Sequence, residues 1–128
     1  MNVSDEISWV LRLVVLLQFK HLLADFMLQN AYILNNRSKW GHPGGILHAA
    51  IHVVGSLIVL AVMAVPAQYI VRLLIFEGFV HYHIDWIKDN VGKRYDLTPD
   101  NRSFWVLTGL DQYMHQLTYV AMIIYCVS

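Results

Sequence analysis

The chain has 128 residues, 57% of them hydrophobic and only 14% charged, with a mean hydropathy of +0.47. An ordinary soluble domain carries about a quarter charged residues, so this composition excludes a disordered, collagen-like or disulfide-scaffold chain and points to a small integral membrane protein. Nine basic residues balance nine acidic ones, which leaves no net charge to attract nucleic acid, and the single cysteine, Cys126, allows neither an internal disulfide nor a thiolate metal site.

A helix crossing a hydrocarbon core about 30 Å thick needs about 20 mostly apolar residues. Four stretches meet that length, at about residues 7–29, 44–65, 67–88 and 103–127. The first is preceded by Asp5 and Glu6 rather than by a basic region, so it reads as a retained span and not as a cleavable signal. A polar loop from Asn35 to Gly45 follows it. Pro66 divides the second and third spans by a very tight turn, and the longest polar connector runs from Lys88 to Arg102 through Gly92 and Pro99. Short links favour antiparallel neighbours, so the expected fold is one all-α domain over residues 1–128, an up-down bundle of four transmembrane helices.

Basic residues orient it. Arg37 and Lys39 lie in the first loop, and Lys88, Lys93, Arg94 and Arg102 in the third. The second loop and the N-terminal tail have none. The first and third loops therefore belong in the cytosol and both termini outside. Aromatic belts agree, with Trp9, Tyr69 and Tyr125 at the outer interface and Tyr32, Trp40, Trp86 and Trp105 at the inner one. The basic loop residues carry a second reading, a grip on a phosphate headgroup, beside their role in topology.

An ionisable residue inside a span costs about 2.5–3.5 kcal/mol on insertion scales, so each needs a partner or a task. Every span here holds one pair at i, i+4: His21 with Asp25, His48 with His52, His81 with Asp85, and Asp111 with His115. That spacing puts both side chains on one helix face, one turn apart. With a rise of about 1.5 Å per residue, all eight fall in one slab about 4–18 Å below the cytosolic helix ends.

Five imidazoles and three carboxylates converging from four helices suit a divalent metal, zinc first, with iron or manganese as alternatives. Eight donors exceed the need of one ion, so two ions, or one ion with orienting carboxylates, fit better. The rival is a set of interhelical hydrogen bonds, worth about 0.6–2 kcal/mol each, or a proton relay. Glu77 lies one turn outward of His81 on the same face. It reads either as a general base beside Asp85 for a metal-bound water, or as a buried ion pair with Arg12, Lys20 or Arg72. Gln112 follows Asp111 about 100° round the helix and faces a neighbour. His42 falls in a loop, and His83 points away from His81 toward an interface.

H-L-L-A-D-F-M-L-Q at His21 to Gln29, H-Y-H-I-D-W-I-K at His81 to Lys88 and D-Q-Y-M-H at Asp111 to His115 resemble the domain-of-unknown-function family 3307, small membrane proteins of bacteria and phages. The resemblance spans almost the whole chain and implies a multi-pass protein of the bacterial inner membrane. Carried over by position, its polar set falls on His21, Asp25, Gln29, Lys39, His48, His81, Asp85, Lys88, Asp111, Gln112 and His115. His52 and Glu77 lie outside that set. The expectation is a membrane metalloprotein that hydrolyses a lipid or lipid-linked substrate. The alternatives are a proton or divalent-metal transporter acting as a homo-oligomer, a di-iron redox enzyme, and a structural subunit locked by a polar network.

Overall fold

The computed structural model describes residues 2–128, and its elements are all helical. Helix α1, Val3–Leu22, starts where the Asn2 side chain accepts a hydrogen bond from the Asp5 amide, with Asp5 and Glu6 complementing the dipole in its first turn. It continues into a π-helical turn, Leu23–Met27, in which the Leu28 amide reaches back five residues to the Leu23 carbonyl at 2.9 Å. Helix α2 covers Ala31–Asn36, α3 Pro43–Val62, α4 Ala67–Arg94 and α5 Arg102–Val127.

Two boundaries differ from the sequence expectation. The link after the first span opens with α2, because Asn30 caps it by accepting from the Ile33 amide at 3.0 Å. Helix α4 runs past residue 88 to Arg94, with Lys93 and Arg94 placed favourably in its last turn. Hydropathy marks where an apolar run ends, and a helix continues beyond it when propensity and end charges allow.

The link between α3 and α4 closes α3 with paired hydrogen bonds from Val65 to Leu60 and from Ala64 to Ala61, both 3.0 Å. Ala64 takes φ of 55°, the left-handed conformation usually given to glycine at this position. Pro66 then opens the way into α4, as expected for a very tight turn.

Helix α1 packs against α3 and α5, α4 packs against the same two, and α2 lies on α3. The interior divides into two halves. Toward the α3–α4 turn it is apolar, built on Leu13, Leu17, Leu60, Leu73, Met122 and Ile123. Toward α2 and the α4–α5 link it is polar, with His21, His48, His52, Glu77, His81, Asp85, Asp111 and His115 all buried. The outer faces carry large apolar side chains, with Val15, Phe19, Ile58, Val62, Ile75 and Phe79 exposed. Val3–Met27 and Pro43–Val62 are long and apolar enough to cross a membrane, at mean hydropathies of 1.5 and 2.2. Helices α4 and α5 have the length, 28 and 26 residues, but their interior His, Asp, Glu and Gln side chains hold their hydropathy down.

Candidate metal centre

Each i, i+4 pair faces inward. The π-helical turn carries Asp25, and its extra residue per turn re-aims the helix end so that this carboxylate meets α3 as well as its own helix. Asp25 Oδ1 lies 3.1 Å from His48 Nε2 and 2.9 Å from His52 Nε2, while Oδ2 lies 3.1 Å from His21 Nε2. Asp85, on α4, is the second hub. Its Oδ2 is 3.1 Å from His48 Nε2 and 3.2 Å from His81 Nε2, and its Oδ1 is 3.4 Å from His115 Nε2. Asp111 Oδ1 sits 3.4 Å from the same His115 nitrogen.

Two groups of donors draw together within 4.8 Å: Asp25, His48, His52 and His81, and then His81, Asp85 and His115. They share His81, whose ring centroid is 3.7 Å from that of His52 and 4.2 Å from that of His115. Donors held at 2.0–2.1 Å around a tetrahedral ion stand about 3.3 Å apart. The separations of 3.1–3.4 Å from the Asp85 oxygens to His48, His81 and His115 are close to that edge.

Alignment separates the members of the cluster. His21 is fully occupied by the protein. Its Nδ1 meets the Tyr119 hydroxyl at 2.9 Å, and its Nε2 meets the Gln112 side-chain oxygen at 3.0 Å. His52 is hydrogen-bonded on both sides, to Asp25 and, at 3.2 Å, to Lys20 Nζ. In contrast, six buried atoms have no hydrogen bond: both ring nitrogens of His48, Nε2 of His81 and of His115, Oδ2 of Asp85 and Oδ1 of Asp111. Buried polar atoms are rarely left so, at about 1–3 kcal/mol each. An ion at the centre would satisfy one nitrogen of each ring and the carboxylate oxygens. All eight expected residues are therefore brought together, with His21 satisfied at the edge and His48, His81, His115 and Asp85 unsatisfied at the centre.

Glu77 forms the buried ion pair, and Lys20 is its partner. Lys20 also bonds the His52 carbonyl at 3.3 Å and lies 4.8 Å from the Tyr119 ring centroid, with its stem against Gly55. Glu77 thus reaches the cluster through Lys20 and His52. Lys20 and Tyr119 did not stand out in the sequence as site residues. Lys20 was one of three cations offered to Glu77, and the only signal of Tyr119 was its position one turn beyond His115.

The end of the site nearest α2 is closed by Arg37. Its Nε and Nη2 donate to Asp89 at 2.6 and 3.0 Å, and Nη1 is 4.0 Å from Asp85 Oδ1. Gln29, with its amide turned to satisfy both neighbours, donates to the Asp25 carbonyl and accepts from Arg37 Nη1 at 3.0 Å. Burial opposes the Arg37 charge, but Asp85 and Asp89 more than compensate and hold its pKa above the ordinary value. His42 caps α3 by accepting from the Gly44 amide, and His83 packs on Trp40 and Phe79, so both stand apart from the cluster.

Fold and site together define an all-α protein with buried His/Asp clusters able to coordinate a metal ion. The chain belongs to the family described as protein of unknown function (DUF3307), which matches it over residues 13–128. The resemblance carried by the three motifs holds over almost the whole chain. No curated protein and no solved structure gives a match. The family and the two apolar helices support a membrane-linked location.

Proposed function

We propose that this chain is a multi-pass metalloprotein of the bacterial inner membrane, its four long helices crossing the bilayer as an antiparallel bundle with both termini outside. The support is the placement of its surfaces: apolar side chains outward around the polar interior, and basic residues gathered in the first and third links. The observation that carries the metal is the set of six buried, unaligned donor atoms around His48, His81, Asp85 and His115. The hydrocarbon around the bundle offers such atoms no partner, and a cation is the partner these donor types suit. Imidazole and carboxylate donors without thiolate favour zinc, with iron or manganese the other candidates.

The activity that suits this centre is metal-assisted hydrolysis of a lipid or lipid-linked substrate approaching from the cytosolic face. A metal held by His81, Asp85 and His115 would supply an activated water at neutral pH, and Asp85, a ligand through one oxygen, would take its proton on the other. Glu77 is hydrogen-bonded to Lys20 and to none of the donor atoms at the centre. Through Lys20 it holds His52 in place as a positioning residue.

Metal analysis of the purified full-length protein tests the first step. The expected result is one to two equivalents of a first-row divalent metal, falling below half an equivalent in His48→Ala/His81→Ala. A metal-free parent after purification without chelator, unable to take up added zinc, removes the metalloprotein and the hydrolase together. A zinc protein that shows no visible absorption separates hydrolysis from di-iron chemistry.

A further inference from the structure

One helical turn from the cluster toward the α4–α5 link lies a cavity of about 190 Å³ between the end of α2, the end of α4 and the start of α5. It follows the helix faces of the candidate ligands. Lys88 and Asp89 stand three and four residues beyond Asp85 on α4, and Thr108 stands three residues before Asp111 on α5. Arg37 joins the two sites, since its guanidinium lines the cavity and also approaches Asp85 at 4.0 Å.

The lining is unbalanced in charge. Arg37, Lys88 and Lys93 face one carboxylate, Asp89, which Arg37 already holds with two hydrogen bonds. Lys88 Nζ lies 3.7 Å from Asp89, beyond hydrogen-bond reach. Lys93 is held only by the neutral Ser38 hydroxyl. Thr108 lines the same cavity, and its hydroxyl is buried with no partner. The remaining walls are apolar, with Leu34, Leu97, Phe104 and Leu107. Two cations without carboxylate hydrogen bonds, an orphaned hydroxyl and apolar walls are complementary to a compact anion attached to an apolar body. The volume is below the roughly 300–1,000 Å³ of drug-sized ligand pockets, so it admits a headgroup and not a whole lipid.

We infer that this cavity binds the phosphate of a phosphorylated ligand and so gives the proposed hydrolase a phosphate-bearing substrate. The second half rests on the metal reading, whereas phosphate binding itself needs only Arg37, Lys88, Lys93 and Thr108. The ligand is either the headgroup of a phospholipid or a free phosphate compound, which share this chemistry.

The full-length protein in detergent, titrated with phosphatidic acid, with diacylglycerol of the same chains and with inorganic phosphate, tests it by native mass spectrometry. Phosphatidic acid should be retained over diacylglycerol. Lys88→Gln/Lys93→Gln should lower that retention about tenfold, the loss of one charged hydrogen bond or more, and Thr108→Val should lower it several-fold. Both changes leave the donor cluster intact, so metal content should equal that of the parent. Displacement of the lipid by equimolar inorganic phosphate assigns a free phosphate ligand, and failure to displace it assigns the headgroup; either outcome upholds the site. Equal retention of phosphatidic acid and diacylglycerol, or unchanged retention in the double lysine variant, overturns it. Repeating the titration after chelation separates the two proposals. Selective retention without metal leaves the phosphate site standing if the metal centre fails, and bound metal without selective retention does the converse.

Discussion

Asp85→Asn probes the cluster at its most connected point. The carboxylate touches His48, His81 and His115 at 3.1, 3.2 and 3.4 Å, so the substitution keeps the shape while removing a negative charge from the donor set. Loss of even an indirect partner of a metal costs about 10–100-fold in affinity, and a direct donor belongs at the upper end of that range. Free zinc at a thousand times the parent dissociation constant stabilises the parent by about 4.1 kcal/mol. A hundredfold weaker variant at the same free zinc gains about 1.4 kcal/mol. For a chain of this size the difference is about 10 °C in Tm. Thermal unfolding in detergent, followed by circular dichroism with zinc and with chelator, measures both shifts. A structural polar network predicts the opposite pattern, with the variant less stable by the same amount in both conditions. Equal zinc-induced shifts in parent and variant would refute the role given to Asp85.

Other residues give independent checks. Ala64→Gly relieves a left-handed alanine that ends α3, and the variant should be more stable by about 1 kcal/mol, read as a Tm rise of a few degrees with metal content unchanged. Lys20→Met alone strands the fully buried Glu77 and should cost about 3–5 kcal/mol, whereas Lys20→Met with Glu77→Leu should recover most of that, as thermal unfolding of the three proteins will report. Cysteine labelling in a Cys126→Ser background tests topology: Val3→Cys should react with a membrane-impermeant thiol reagent in intact cells, and Lys39→Cys only after the membrane is opened.

The parts of the fold that could be read in advance are those with a simple period. Four apolar stretches of spanning length became four long helices, and four pairs at i, i+4 placed their side chains on inward faces. The convergence of eight residues followed because a polar pair inside an apolar helix has only the interior to turn to. What escaped depends on contacts between elements. The π-helical turn at Asp25 contains no glycine or proline to announce it, and it is held by tertiary contacts of that carboxylate with α3. Arg37 read as a loop cation marking topology, yet it is buried because Asp89 and Asp85 lie on the next helix face at the right height. Glu77 had three cations within plausible reach, and the choice of Lys20 turned on Gly55 leaving room for the lysine stem. The separation of a satisfied His21 from an unsatisfied His48 is a matter of hydrogen-bond angles, which no spacing rule contains.

The central claim is that a cation is the missing partner of the buried donors. Diffraction from crystals of the full-length protein grown with zinc, recorded on both sides of the zinc absorption edge, tests it most directly. The account predicts an anomalous peak with His81 and His115 nitrogens and an Asp85 oxygen at about 2.0–2.2 Å, the donors of one of the two groups. Contradiction would come from zinc-grown crystals without such a peak, in which the same imidazoles and carboxylates close on one another as aligned hydrogen bonds.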